Sequence, residues 1–198
     1  MAVNRQPVLK KCRSLGIEPA FLGLSKKRSR KKPTRNTRKV SEYGTQLKEK
    51  QKAKFIYGIL ERQFRLYFQR SAKLPGITGE NLLILLETRL DNVVYRLGIA
   101  RTRREARQIV LHKHVTVNGK KANIPSIGLK IGDVIEVKAE RKNLTRFTDI
   151  VGSTHTRAVP GWLSGDIENL RGTIVALPSR DQIDTPVNET LIVELYSR

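Results

Sequence analysis

The stretch RLDNVVYRLGIARTRREARQIVLHKHVTVNGKK, Arg89 to Lys121, sets an arginine cluster on a capped helix and follows it with a hairpin. Thr102 and Glu105 have the spacing of a capping box, in which each side chain satisfies a backbone amide, so a helix is expected to begin there. Ala106, Ile109, Val110 and the aliphatic stem of Lys113 make its core-facing stripe. Arg103, Arg104 and Arg107 fall on a neighbouring face, where like charges three and four apart destabilise a helix by roughly 0.2 to 0.5 kcal/mol per pair. Folding alone does not favour that cluster. Phosphate does, because a guanidinium stays charged and presents a planar fork to two oxygens. Val115 and Val117 then alternate into Asn118-Gly119, which tolerates the positive φ angles of a tight hairpin turn, and Lys120 and Lys121 follow. The whole reads as a folded surface for RNA.

Composition points the same way. Lys+Arg number 39 against 18 Asp+Glu, a formal net charge of +21 in 198 residues, which implies a polyanionic partner. The charge is unevenly spread: residues 1–54 hold 17 basic and 3 acidic side chains, 55–90 hold 5 and 3, 91–150 hold 13 and 6, and 151–198 hold 4 and 6. The excess lies in an N-terminal arm and in the arginine-bearing segment. The last quarter has no electrostatic reason to approach nucleic acid. A hydrophobic fraction of 38% suffices for one or two modest cores. No apolar run is long enough to span a bilayer, the N-terminus lacks the pattern of a secretory signal, and Cys12 alone cannot form an internal disulfide. A reducing cytosol is the expected compartment.

Along the chain, Pro7 to Leu15 predicts a short helix closed by Gly16. GLSKKRSRKKPTRNTRK (Gly23 to Lys39) has almost nothing apolar to bury and is expected to be extended and ordered by its partner. From Thr45 to Ala72 the pattern is helical, with Ile56, Ile59, Leu60, Phe64, Tyr67 and Phe68 on one stripe, Arg62, Arg65 and Gln69 opposite, and Gly58 as a break. KLPGITG (Lys73 to Gly79) ends this element. Leu83, Leu86, Leu90, Val93 and Leu97 then form the stripe of a helical pair. The sheet is expected to include Val115–Val117 and Gly132–Val137. A further strand is expected at Thr173–Leu177, and the run Leu191–Tyr196 fits helix or strand.

The Arg89–Lys121 stretch resembles the RNA-binding module of two helices and a short curled antiparallel sheet named after small-subunit ribosomal protein four. The resemblance continues through YGTQLKEKQKAKFIYGILERQFRLYF (Tyr43 to Phe68), TGENLLILLETRLDNVVYRLG (Thr78 to Gly98) and PVNETLIVELYSR (Pro186 to Arg198). Nearly end to end, the chain is similar to the bacterial-type small-subunit ribosomal protein four family. Only the first forty or so residues and Lys138–Arg157 match loosely. Many members carry an N-terminal zinc knuckle of four cysteines; here Cys12 is alone, which implies the zinc-free form and no cofactor.

The resemblance implies an α+β protein in four parts: a basic extended arm with a short helix (1–44), a helical domain (45–90), the RNA-binding module (91–150), and a C-terminal segment packing back on the helical domain (151–198). It implies a structural constituent of the small subunit that binds the 5′ domain of 16S-type rRNA early and nucleates assembly. It further implies proteins five and three as neighbours, and messenger RNA where it enters the subunit, with an influence on accuracy. The expected location is the ribosome of a bacterial cytoplasm, with an organelle left open. No membrane or small-molecule substrate is implied. The candidate RNA contacts are Arg101, Arg103, Arg104, Arg107, Lys113, Asn118, Lys120 and Lys121 in the module and Lys48, Lys50, Lys54, Arg62 and Arg65 on the helices. On the arm they are Arg5, Lys10, Lys11, Arg13, Lys26, Lys27, Arg28, Arg30, Lys31, Lys32 and Arg35.

Enzyme readings fare poorly. His112 and His114 have no cysteine or acidic partner at metal-ligand spacing, and more simply end a helix and touch RNA. Asp166 with Glu168, and Asp181 with Asp184, sit among polar loop residues without a phosphate-binding loop or nucleophile elbow. Trp162 is most simply a packing anchor of a C-terminal core, with base stacking as the alternative. A pseudouridine synthase can carry the same module, but it needs a catalytic domain for which this chain has no room. A free RNA chaperone is the third class, separated from the others by whether the protein resides stably in ribosomes.

Overall fold

The computed structural model describes residues 7–24, 41–155 and 157–197. Helix α1 (Val8–Leu15) stops at Gly16, whose φ of 73° is open to glycine, and Ile17 N–H closes the end on Cys12 O at 3.0 Å. Helix α2 (Glu42–Tyr57) starts where the Ser41 hydroxyl accepts from Gly44 N–H at 3.2 Å. It breaks at Gly58 (φ 65°), as the sequence implied, and α3 (Glu61–Ser71) follows. Ile56, Ile59, Phe64 and Tyr67 are buried, whereas Leu60 is exposed because it is the extended residue before α3 and points off the stripe.

Next come α4 (Thr78–Glu87), α5 (Leu90–Arg96), α6 (Arg103–Leu111), β1 (Val115–Val117), β2 (Lys120–Ala122), β3 (Val134–Val137), α7 (Ala139–Lys142), α8 (Thr145–Thr154), β4 (Leu163–Asp166), β5 (Arg171–Ile174) and α9 (Glu189–Ser197). The run left open at Leu191–Tyr196 is therefore helical. The described residues form two units, one up to Leu83 together with those from Asp184 onward, the other Ile84–Ile183.

In the first unit α9 lies against α2. The Gln46 amide donates to Glu194 at 3.1 Å, Asn188 N–H to Glu49 at 3.1 Å, and the Tyr57 and Thr185 hydroxyls meet at 3.0 Å. Phe68 and Tyr196 stack with ring centroids 4.5 Å apart. In the second unit an antiparallel sheet runs in the order β2-β1-β3-β5-β4. Val115 pairs with Ala122 and Val137, and Ile135 with Gly172.

The expected 151–198 segment is divided. Its hairpin β4–β5 completes the module's sheet, and only the part from Asp184 belongs with the first unit. The reason is packing. Gly172 lets β5 come close to Leu97, Leu163 and Ile174 are buried beside Val93, Ile109 and Ile135, and Trp162 fills this same core, not a separate C-terminal one. No helix among the described residues is long and apolar enough to cross a membrane.

Candidate nucleic-acid interface

Helix α6 begins as its sequence requires. Thr102 Oγ1 accepts from Glu105 N–H at 3.2 Å, and the Glu105 carboxylate reaches back one residue further than the expected box, to Arg101 N–H at 2.8 Å. Ala106, Ile109 and Val110 are buried. Arg104 is exposed, and Arg101 is half-exposed, its guanidinium 3.4 Å from Glu105.

Arg103 is not on that surface. It is 8% exposed, its Nε donates to Asn92 Oδ1 at 2.8 Å, and its guanidinium lies 4.4 Å from the Tyr95 ring centroid, a cation–π contact. The expectation of a phosphate contact at Arg103 gives way because the α5–α6 pair turns that position inward. Around it runs a buried polar network that the hydrophobic pattern hides. Glu87 takes a two-point grip from Arg96 (3.1 and 2.9 Å) and accepts from Asn92 at 2.6 Å. Asp91 holds Arg89 through 3.0 and 2.6 Å contacts, and Arg107 comes within 3.5 Å of the same carboxylate while remaining partly exposed. Glu87 and Asp91 are the buried carboxylates of this unit among the described residues. They neutralise only part of the arginine charge gathered on them, so a positive field remains for the surface above.

The hairpin turn takes its form from Asn118 (φ 50°) and Gly119 (φ 76°). Asn118 works inside the fold: its amide donates to Asp133 at 2.8 Å and its Oδ1 accepts from Val134 N–H at 2.8 Å. This pins β1 to β3, while Asn118 itself stays exposed at the turn. Lys120 and Lys121, on the edge strand β2, are exposed. Lys113 is also exposed. Its stem leaves the expected core stripe because α6 has ended at Leu111 and the residue turns with φ 60°.

A second basic group escaped the sequence reading. His114 stands edge-on to Phe147 (ring centroids 5.9 Å apart) and 6.1 Å from His112. Burial first, then the charges of Arg141, Arg146, His112 and Lys138, push its imidazole below the ordinary value. They come from the end of α6 (His112), the residue after β3 (Lys138), α7 (Arg141) and α8 (Arg146). Arg146 also approaches Glu105 to 3.5 Å. In the sequence they are spread through the loosely matching segment, and the packing of Phe147 on His114 brings them together.

Two families match this chain. Residues 3–87 match the family described as ribosomal protein S4/S9 N-terminal domain, and residues 88–135 match the S4 domain. The small ribosomal subunit protein uS4 of Agathobacter rectalis is 62% identical over all 198 residues of both chains, and that of Lachnospira eligens 60% over the same span. The uS4 of Fusobacterium nucleatum is 48% identical, again over the full length of both. The chain belongs to the uS4 family. Within it, the S4-domain match covers α5, α6 and the β1–β2 hairpin and stops at the second residue of β3, so β4, β5 and Trp162 lie outside the match although they complete the same sheet and core. With one cysteine the chain cannot supply a four-cysteine zinc knuckle, and among the described residues no group of three or more His, Cys, Asp or Glu could hold a metal.

The first unit offers a different arrangement. Lys48, Arg62 and Arg65 are exposed. Lys50 and Lys54 are instead drawn onto Glu61, at 2.9 and 2.6 Å, and the Tyr196 hydroxyl donates to the same carboxylate at 2.9 Å. Burial pushes the Glu61 carboxyl up, but hydrogen bonds from Lys54, Lys50 and Tyr196 outweigh it and bring it down to about 2. Lys10 and Arg13 on α1 are exposed and Lys11 is half-buried. Arg5, Lys26, Lys27, Arg28, Arg30, Lys31, Lys32 and Arg35 lie outside the described residues.

Proposed function

We propose that this chain binds the 5′ domain of 16S-type rRNA early and directly, and so nucleates assembly of the small-subunit body. Membership of the uS4 family makes it a non-enzymatic, RNA-binding constituent of the small ribosomal subunit. The observation that carries the finer reading is the exposed cationic face of the module: Arg101, Arg104, Lys113, Lys120 and Lys121, set on a frame whose buried polar groups are fixed by hydrogen bonds. A-form RNA is recognised through shape, phosphates and sugar hydroxyls, so a rigid pattern of cations can select a folded junction. Lys138, Arg141 and Arg146 extend that face, and Lys48, Arg62 and Arg65 add a second patch. The arm from Lys26 to Lys39 adds affinity through counterion release.

The same reading takes in proteins five and three as neighbours and messenger RNA where it enters the subunit, with cytoplasmic ribosomes as the location. Its support is the family resemblance and the low basic content of the last quarter of the chain. The test is binding to a 5′-domain rRNA fragment against a folded RNA of equal length at near-physiological salt, with footprinting on both. Localised protection of the rRNA junction alone is the expected result. Equal and diffuse protection of both RNAs would favour a free chaperone.

A further inference from the structure

The loop from Leu97 to Thr102 joins α5 to α6, carries Arg101 and leads into Arg104, yet it has no helix or strand of its own. Its carbonyls, with those left over at the end of α5, need partners. The partners come from 56 to 62 residues downstream. Arg157 Nη1 donates to Tyr95 O and to Ala100 O, both at 3.0 Å, and Nη2 donates to Arg101 O at 3.0 Å. The Arg157 guanidinium lies 4.5 Å from the Tyr95 ring centroid, and Thr154 Oγ1 holds Gly98 O at 2.7 Å.

One planar group thus ties the last turn of α5 to the far end of the loop, at Ala100 and Arg101. Arg101 has its amide fixed by Glu105 and its carbonyl fixed by Arg157, while its side chain stays half-exposed. That is how an exposed cation is made to point: the backbone is held at both sides, and the half-exposed guanidinium keeps only a long 3.4 Å contact to Glu105 that a phosphate can replace. Holding the loop before binding removes an ordering penalty that RNA would otherwise have to offset. Lysine would keep the charge but could not fork across three carbonyls. Arg157 also lies beyond the residues that match the S4 domain, which end at 135.

We propose, building on the rRNA-binding reading above, that Arg157 is a positioning residue which locks the Tyr95–Arg101 carbonyls and so aims Arg101 and Arg104 at RNA phosphates. The RNA-gripping unit then extends past the hairpin and beyond the end of α8, to Arg157.

The test uses the full chain and a 5′-domain rRNA fragment, with affinity measured across a salt series for the wild type, Arg157→Lys, Arg157→Gln, the Arg101→Ala/Arg104→Ala pair, and the triple variant that adds Arg157→Lys to that pair. Thermal melts accompany each. Arg157→Lys, which keeps the charge, is expected to weaken binding about tenfold and to flatten the salt dependence by about one unit, since each phosphate contact contributes roughly one unit of slope. In the triple variant it is expected to have no further effect. Wild-type affinity in Arg157→Lys would overturn the proposal, because a simple charge contact survives that change and a positioning role does not. An undiminished further loss in the triple variant would also overturn it, since Arg157 would then act independently of the two arginines. Arg157→Gln that folds and binds like Arg157→Lys supports the proposal, and one that folds yet binds like the wild type overturns it. Should Arg101→Ala/Arg104→Ala bind as tightly as the wild type, the rRNA-contact reading itself falls. Weakening by that pair alone, with Arg157→Lys silent, leaves the reading standing and removes only Arg157.

Discussion

The two units treat their basic residues in opposite ways. In the second unit arginines are drawn inside. Arg89, Arg96 and Arg103 are buried on Glu87, Asp91, Asn92 and the Tyr95 ring, and cations above that layer face solvent. In the first unit Lys50 and Lys54, their side chains 13% and 15% exposed, meet instead at Glu61, a carboxylate whose side chain is 47% exposed to water. The buried guanidinium groups of Arg89 and Arg96 each meet a carboxylate at two points, so their geometry is fixed, whereas a lysine on an exposed carboxylate can exchange partners with little change in free energy. On the rRNA-binding reading proposed above, the arginine unit supplies the rigid frame and the lysine cluster a looser, exchangeable set of ion pairs.

The hardest way to break the comparison is Glu87→Ala. It leaves Arg96 without its two-point carboxylate inside the protein, and stability should fall by about 3 to 5 kcal/mol, read from the denaturant midpoint of the full chain. A midpoint shift as small as that of a surface pair would mean the network is not the frame assigned to it. Gly172→Ala comes next. Its new methyl would press into the buried Leu97 side chain, so Leu97 or the strand must shift, for a loss of about 1 to 3 kcal/mol in the same measurement. A neutral result would mean that the β4–β5 hairpin does not press on the module core.

Much of this frame was legible in the sequence. The Thr102 cap, the Ile109 and Val110 face, the Asn118-Gly119 turn and the Gly58 break each follow from a local rule in which a side chain or a φ angle decides the backbone. What stayed hidden is non-local. Arg103 looks like a surface cation from its spacing on α6, and only Asn92 and Tyr95 on the neighbouring helix turn it into a core residue. Arg157 was passed over because nothing near it in sequence suggests a role, while its three carbonyl partners lie on α5 and the following loop. The sharing of the last quarter between two units was illegible for the same reason: strand pairing of β5 with β3 is a long-range choice.

The Arg103 correction yields the next test. Arg104→Glu should weaken binding to the rRNA fragment about tenfold or more with the melting temperature unchanged, since its side chain is exposed. Arg103→Glu should lower melting temperature and affinity together, because it sets a carboxylate against Asn92 Oδ1. Equal melting temperatures for the two variants would return Arg103 to the surface.

The smallest effect belongs to the lysine unit and is a dependence on pH. The Glu61 carboxyl sits at about 2 in the folded protein against an ordinary 4.5, so folding favours its charged form. The sign follows from linkage: the group's contribution is complete above the unfolded value near 4.5 and is lost as pH falls through about 2, below which the carboxyl is protonated in both states. Because the side chain is half-exposed and screened, the loss should stay below about 1 kcal/mol. Glu61→Gln should remove this part of the acid dependence between pH 4.5 and 2 while changing stability little at neutral pH. It should also release Lys50 and Lys54 from their carboxylate, and RNA affinity at low salt should rise slightly. A large neutral-pH destabilisation would show that Glu61 is as deeply structural as Glu87, and the contrast between the two units would be gone.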